Sequence, residues 1–318
     1  MKAGIVTEAG QSAPIYSDFP MPVPAAGQHL IRVLASSISH LTKGRASGAH
    51  YSAESGFPLV AGVDGVGLRE DGQRVYFVLP AHPYGSMAEF CVADEAHCIM
   101  LPDGLDDSVA AAMAIPGMSS WAALMERARL LHGETVLING ATGISGRLAV
   151  QIAKHLGAGK VIATGRNTAS LEALQALGAD ETVVLTQDSA NLQAALKHEF
   201  VQGVDVVLDY LWGESAQALI ESAAQFGPDG VPTRYVQIGA TSGTNIILPG
   251  AALRSSALQL MGSGIGSVAL PRLLAAIQGA LTAAPTAGFQ VATQIIPLAQ
   301  IAQVWNQDNA RVRTVLQP

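Results

Sequence analysis

The chain is short of charge, of aromatic rings and of cysteine. Only 14% of its 318 residues are Asp, Glu, Lys or Arg, and 5% are Phe, Trp or Tyr. The 18 basic residues do not balance the 25 acidic ones, so the formal charge is −7. No basic run offsets it, which argues against a nucleic-acid surface. The two cysteines, Cys91 and Cys98, cannot staple a chain of this length and form no C-x-x-C pair. They read as packed thiols in a reducing compartment. No apolar run approaches the roughly 18–20 residues of a membrane span. Met1–Val6 leads straight into a strand-like pattern, without the core of a secretory leader. The expectation is a cytoplasmic protein with no membrane and no nucleic-acid partner.

What the sequence does have is apolar material: 49% hydrophobic residues and 33 glycines. That is enough for about two cored domains. The first third alternates as β-strands do, with Ile31, Val33 and Ala35 on one face. The proline-rich segment 20–24 reads as an extended connection. A polar loop is expected from Ser36 to Ser55, then strands near 58–67, 75–78 and 88–92. At Ser108 the texture changes to alanine-rich helices over 109–115 and 119–128. Strands at 161–164, 182–185, 204–209 and 234–238 then alternate with helices at 170–177, 190–198 and 215–224. This alternation predicts an α/β fold with a doubly wound parallel sheet. The tail reads as helix 270–281, strand 291–296, helix 298–305 and strand 314–316. The expected layout is a parallel-sheet domain over 116–264, inserted into a β-rich domain made of 1–115 and 265–318.

The chain is organised around residues 134–146. Val136-Leu137-Ile138 suits a buried parallel strand, and Arg147–His155 places Leu148, Ala149, Ile152 and Ala153 at helical spacing. Between them, Asn139-Gly140-Ala141-Thr142-Gly143-Ile144-Ser145-Gly146 is a small-residue turn in the context of a dinucleotide-binding (Rossmann) loop. Gly143 leaves room for a pyrophosphate, and Gly146 lets the helix lie close to the strand. The helix start offers N–H groups to phosphate. Ala141 stands where the first glycine of G-x-G-x-x-G would be. The next strand ends Ala163-Thr164-Gly165-Arg166-Asn167 without the acid that would bond an NAD ribose. Arg166 offers a planar charged fork suited to a 2′-phosphate, which points to NADPH.

With these motifs in place, the chain resembles the medium-chain dehydrogenase/reductase superfamily, and most nearly its zinc-independent quinone oxidoreductase branch. Gly62-Val63-Asp64-Gly65-Val66-Gly67 resembles the G-x-E-G-x-G signature, and Gly85-Ser86-Met87-Ala88-Glu89-Phe90 the G-x-x-A-E-[YF] segment. Residues 101–121, the glycine loop and the closing Arg313-Thr314-Val315-Leu316 follow in the family's order. The resemblance implies a GroES-like β-barrel catalytic domain beside the Rossmann domain. It implies cofactor contacts from Thr142, Gly143, Ile144, Ser145, Gly146, Gly165, Arg166, Asn167 and Arg313. Gly239-Ala240-Thr241 and Gly262-Ser263-Gly264 would serve the nicotinamide end.

The superfamily's zinc enzymes carry a cysteine where this chain has Ser39 and a histidine where it has Val63. No metal is therefore expected, since a catalytic zinc needs about three N, S or O ligands. His82, His97, His132, His155 and His198 read as surface or structural. Zinc-free members commonly have Asn at the Ser39 position and Asp near Thr42, so the chain departs from them too. Without a Lewis acid, hydride transfer suits a quinone or an α,β-unsaturated carbonyl. Tyr51, His40 and Ser39 are the candidate proton or hydrogen-bond donors to the resulting oxyanion. Two other readings stay open: an enoyl-thioester reductase, with Lys43 and Arg45 as the only basic rim, and an NADPH-binding redox sensor without turnover. The resemblance also implies a homodimer, with residues 257–261 as the pairing edge.

Overall fold

The computed structural model describes residues 1–53, 56–186, 188–307 and 309–318, with the side chains of Ser189 and Ala190 left aside. The chain divides into two compact units: Met1–Ala114 with Leu281–Pro318, and Ile115–Ala280. The second division falls sixteen residues beyond the expected 264/265 boundary. The reason is local packing. Leu273 and Ala276, early in the helix Leu270–Ala287, bury themselves with Ala122 and Val268 and so belong to the second unit.

The first unit is built from strands β1 (Lys2–Val6), β2 (Ile15–Asp18), β3 (Gln28–Ser37), β4 (Leu59–Val60), β5 (Asp64–Arg69), β6 (Arg74–Val78), β7 (Phe90–Asp94) and β8 (Cys98–Met100). Among the described residues they form a three-stranded sheet β2-β1-β4 and a larger sheet. In the larger sheet β3, β5, β6 and β8 are neighbours in that order, and β7 also pairs with β3. A register shift between Val33 and Ala35 bends β3 against β5, as a bulge does. Ile31, Val33, Val75, Phe77, Cys91 and Ala93 fill one core cluster, so the alternation seen in the sequence does set the buried face. The expected polar loop is partly a helix. β3 runs to Ser37, and α1 (His40–Ala46) follows. Ser55, where that loop was expected to end, lies outside the described residues.

α2 (Asp107–Ala122) continues as a π-helical turn, Ala123–Ala128. By length and composition this 22-residue stretch could cross a membrane, contrary to the sequence reading. The serines at 108, 119 and 120 hid its length, and 67% of its most apolar window is buried inside the fold, as in a core helix.

The second unit alternates strand and helix: β9 (Thr135–Asn139), α3 (Ile144–His155), β10 (Lys160–Gly165), α4 (Thr168–Gln175), β11 (Glu181–Val184), α5 (Ser189–Gln202), β12 (Val206–Asp209), α6 (Gly213–Phe226), β13 (Arg234–Gln237), α7 (Gly250–Arg254) and β14 (Gln259–Gly262). The strands lie in the order β11-β10-β9-β12-β13-β14, and every pairing is parallel. Counted from β9, that is the 3-2-1-4-5-6 order of dinucleotide-binding sheets. Both faces are covered, so the central strands carry apolar residues on both faces: Val136, Leu137, Ile138, Val206, Val207 and Leu208 are all fully buried. β9 sits at the switch point, where the strand order reverses and ligands bind. α8 (Leu270–Ala287), β15 (Thr293–Pro297), α9 (Ile301–Val304) and β16 (Arg313–Gln317) complete the chain. In the first unit, β16 pairs with both β15 and β3.

Candidate cofactor and catalytic site

The glycine turn grows directly out of the buried strand β9. Gly140 has φ +86°, a conformation that side chains rarely adopt. Ala141 N donates to Thr164 O at 2.8 Å, tying the turn to β10. A Cβ on Gly146 would lie 2.4 Å from Gly140 O and 2.5 Å from Ala141 Cα, so only glycine lets α3 start this close to the turn. A Cβ on Gly143 would meet nothing nearer than 4.0 Å. Gly143 is the N-cap of α3 and brings no side chain to its first N–H groups. The helix start is therefore free to receive an anion.

The other predicted cofactor residues follow at the same, carboxyl, ends of neighbouring strands. Gly165 ends β10, and a Cβ there would meet Thr142 Cγ2 at 2.6 Å. Arg166 is exposed, and among the described residues no hydrogen bond or ion pair engages its guanidinium. Asn167 caps α4: its Oδ1 accepts from Ser170 N at 2.8 Å and Ser170 Oγ at 2.7 Å. That leaves only its amide nitrogen for a ligand. Gly239 follows β13 and packs against the backbone of Tyr210, where a Cβ would lie 2.6 Å from the carbonyl. Ala240 and Thr241 are exposed beyond it, and Thr241 Oγ1 donates to Tyr210 O at 3.1 Å. Gly262 ends β14, and its carbonyl accepts from Arg127 Nε at 2.7 Å. Ser263 N donates to Gln237 O at 2.9 Å, and Gly264 N to Ser267 Oγ at 2.8 Å. One end of one sheet thus gathers every predicted cofactor residue except Arg313.

Arg313 lies on β16 in the first unit and has structural work there. Its Nη1 donates to Ile38 O at 3.0 Å, while its Nε is buried without a partner among the described residues. Its charge acts on Asp64, which is sealed from solvent. Asp64 Oδ2 accepts from Tyr76 OH at 3.0 Å, and Oδ1 has no hydrogen-bond partner among the described residues. Burial pushes the Asp64 carboxyl up to about 7, against the pull of the Tyr76 hydroxyl and of Arg313.

The three candidate donors are held differently. Ser39 is buried and is the N-cap of α1: its Oγ accepts from Thr42 N at 3.0 Å and shares a 2.9 Å hydrogen bond with Thr42 Oγ1. A hydroxyl held this way secures the start of a helix. His40 is exposed at the first position of α1. Tyr51 lies on the turn after the helix, 72% exposed, its ring 4.2 Å from that of His50. A cavity of about 50 Å³ in this unit is lined by Thr42, Arg45, Val63, Leu79, His82 and Tyr84 among others. Arg45 reaches back to Ser52 O at 2.6 Å, so its charge serves the turn.

Sequence reasoning missed the polar residues buried beneath the glycine turn. Asn139, Thr164, Asp209 and Tyr235 are all fully buried and hydrogen-bonded to one another. The available signal was a carboxylate closing the apolar run 206–208 and a strand ending on asparagine rather than a fourth apolar residue.

Residues 146–279 match the model of a family described as zinc-binding dehydrogenase. The chain is 30% identical, over the whole of both chains, to a probable NADPH-dependent quinone reductase of Emericella nidulans. It is 31% identical to a quinone oxidoreductase of Mus musculus over 63% of each chain. It also superposes on a quinone oxidoreductase of Thermus thermophilus, studied with NADPH, with a TM-score of 0.82 over all of both chains at 24% identity. The zinc in the family's description does not fit the donors present at the two matching positions. Valine at 63 cannot ligate, and the Ser39 oxygen is committed to its cap.

Proposed function

We propose that this chain, which belongs to the quinone oxidoreductase-like branch of the medium-chain dehydrogenase/reductase superfamily, is an NADPH-dependent, metal-independent reductase of quinones or α,β-unsaturated carbonyls. The observation that carries the cofactor choice is Arg166. It is exposed, has no partner among the described residues, and stands at the end of β10 where an NAD-selective sheet would place an acid. Bound NADPH supplies the hydride. The chain's residues do the rest. The N–H groups at the start of α3 hold the pyrophosphate, and Arg166 pairs with the 2′-phosphate. The backbone of 239–241 and 262–264 orients the nicotinamide end. The acceptor must itself spread the added electron pair, as quinones and enones do. His40 and Tyr51, exposed on and after α1, are our candidates for the group that gives the proton completing the hydroquinone or the saturated carbonyl. The reading includes a cytoplasmic homodimer paired through β14, supported by that strand's place at the edge of the sheet.

The test follows NADPH absorbance with a benzoquinone, an alkenal and an enoyl-thioester in turn. Turnover with the first or second is expected. Turnover confined to the thioester would make the protein an enoyl reductase. NADPH binding with no turnover would make it a sensor. Light scattering that returns the mass of one chain would remove the dimer.

A further inference from the structure

Between the strand that leads into the glycine turn and the strand that leads into the 239–241 loop lies β12, and its last residue bonds to the end of the first and to Gly239 of the loop. Asp209 is in register with Asn139, the end of β9, on one side and with Gln237, the end of β13, on the other. Its Oδ1 accepts from Asn139 Nδ2 at 2.7 Å, Leu211 N at 2.9 Å and Trp212 N at 3.1 Å, and its Oδ2 from Tyr235 OH at 2.8 Å. Its backbone carbonyl accepts from Ile238 N at 2.8 Å and Gly239 N at 3.1 Å.

The side-chain links have a direction. A carboxylate only accepts, so the Asn139 amide must turn its nitrogen to Asp209 and its oxygen to Thr164. The Thr164 hydroxyl then donates to Asn139 Oδ1 at 2.8 Å and keeps a lone pair for Gly140 N–H at 3.3 Å. Gly140 is the first residue of the cofactor turn. A second path runs through the turn that Asp209 folds over its own side chain. There Leu211 packs so closely that a Cβ on Gly140 would lie 2.8 Å from it. In the same turn Trp212 is held at φ +58°, a strained value for a non-glycine residue. Tyr210 O receives Thr241 Oγ1 from the opposite loop.

We infer that Asp209 is a positioning residue for the cofactor. It fixes the glycine turn and the 239–241 loop against each other, so that the two ends of NADPH are held in one geometry. This rests on the NADPH reading above. Asp209 touches no reacting atom and acts through Asn139, Thr164 and the 210–212 turn.

The test is calorimetric titration of the full chain with NADPH, together with steady-state kinetics, for wild type, Asp209→Ala, Asp209→Asn and Thr164→Val. Phe200→Leu is the control, a fully buried core residue of the same unit that makes none of these hydrogen bonds. Asp209→Ala should raise Kd and KM for NADPH about tenfold with a much smaller change in kcat. Asp209→Asn keeps an oxygen facing the three N–H donors and should recover most of the affinity. Thr164→Val should raise Kd about threefold. Phe200→Leu should lower Tm and leave Kd unchanged. An unchanged Kd in Asp209→Ala, or an equal rise in Phe200→Leu, would overturn the inference. If Asp209→Ala does not fold, an unchanged Kd in Thr164→Val overturns it. A wild type that binds no NADPH overturns the proposed function, and the ligand named here goes with it.

Discussion

Among the described residues two aspartates are sealed from solvent, one in each unit, and their surroundings treat them oppositely. Asp209 receives four hydrogen bonds, from a side-chain amide, two backbone N–H groups and a tyrosine. Asp64 receives one, from Tyr76, with one oxygen left bare and an arginine acting at a distance. Burial raises both carboxyls. A buried charge with complete partners makes a rigid anchor, whereas one with incomplete partners remains a group that titrates. The rigid one sits under the glycine turn, where a cofactor needs fixed geometry. The titrating one sits near Ile38, at the approach to α1, through the Arg313 bond to that carbonyl.

The largest effect should come from the titrating side of this contrast. The Asp64 carboxyl, at about 7 in the fold against an ordinary 3.8, binds a proton that the unfolded chain releases across that window. Its stabilisation is whole below about pH 4 and is lost as pH rises through 7, by something on the order of 4 kcal/mol. Denaturant unfolding of Asp64→Asn between pH 4 and 8 should lack that slope. An unchanged slope would mean that Asp64 is as well held as Asp209.

On the rigid side, Gly146→Ala should cost about 1–3 kcal/mol in Tm-derived stability and weaken NADPH binding, because the new methyl meets backbone that cannot yield. Gly143→Ala, facing open space, should leave stability within about 0.5 kcal/mol of wild type. Equal behaviour of the two would show that the turn is soft.

Arg313→Met strips the cation from Asp64 and the donor from Ile38 O. It should cost about 1–2 kcal/mol and move the midpoint of the Asp64 slope to higher pH. If instead it left the slope in place and weakened only NADPH binding, Arg313 would be the cofactor contact that the family resemblance implies. The smallest effect belongs to Ser39→Ala. Loss of a helix cap should cost about 1 kcal/mol, with kcat within about threefold of wild type, since the hydroxyl is turned into the helix. A collapse of kcat at unchanged stability would restore Ser39 as a donor.

The parallel sheet was legible because its signal is local and repeated: apolar runs closed by small residues, each followed by a helix. The glycine signatures were legible for the same steric reason that fixes them. A Cβ on Gly62 would lie 2.2 Å from Ser86 Oγ, and one on Gly85 2.2 Å from Val60 O. α1 was not legible, since Leu41 is its one large apolar residue and only the Ser39 cap marks its start. The Asp209 network was not legible either. Its members are separated by as many as 96 residues in the chain and meet only because β10, β9, β12 and β13 lie side by side. Periodicity reports which face of an element is buried, and it carries no information on which polar groups meet at the strand ends.

The central claim is that Arg166 selects the phosphorylated cofactor. Titration calorimetry of wild type and Arg166→Asp with NADPH and NADH tests it most directly. Wild type should prefer NADPH, and the variant should lose roughly 10- to 100-fold of NADPH affinity while NADH affinity changes little. Equal losses for both cofactors, or no loss for either, would contradict the account.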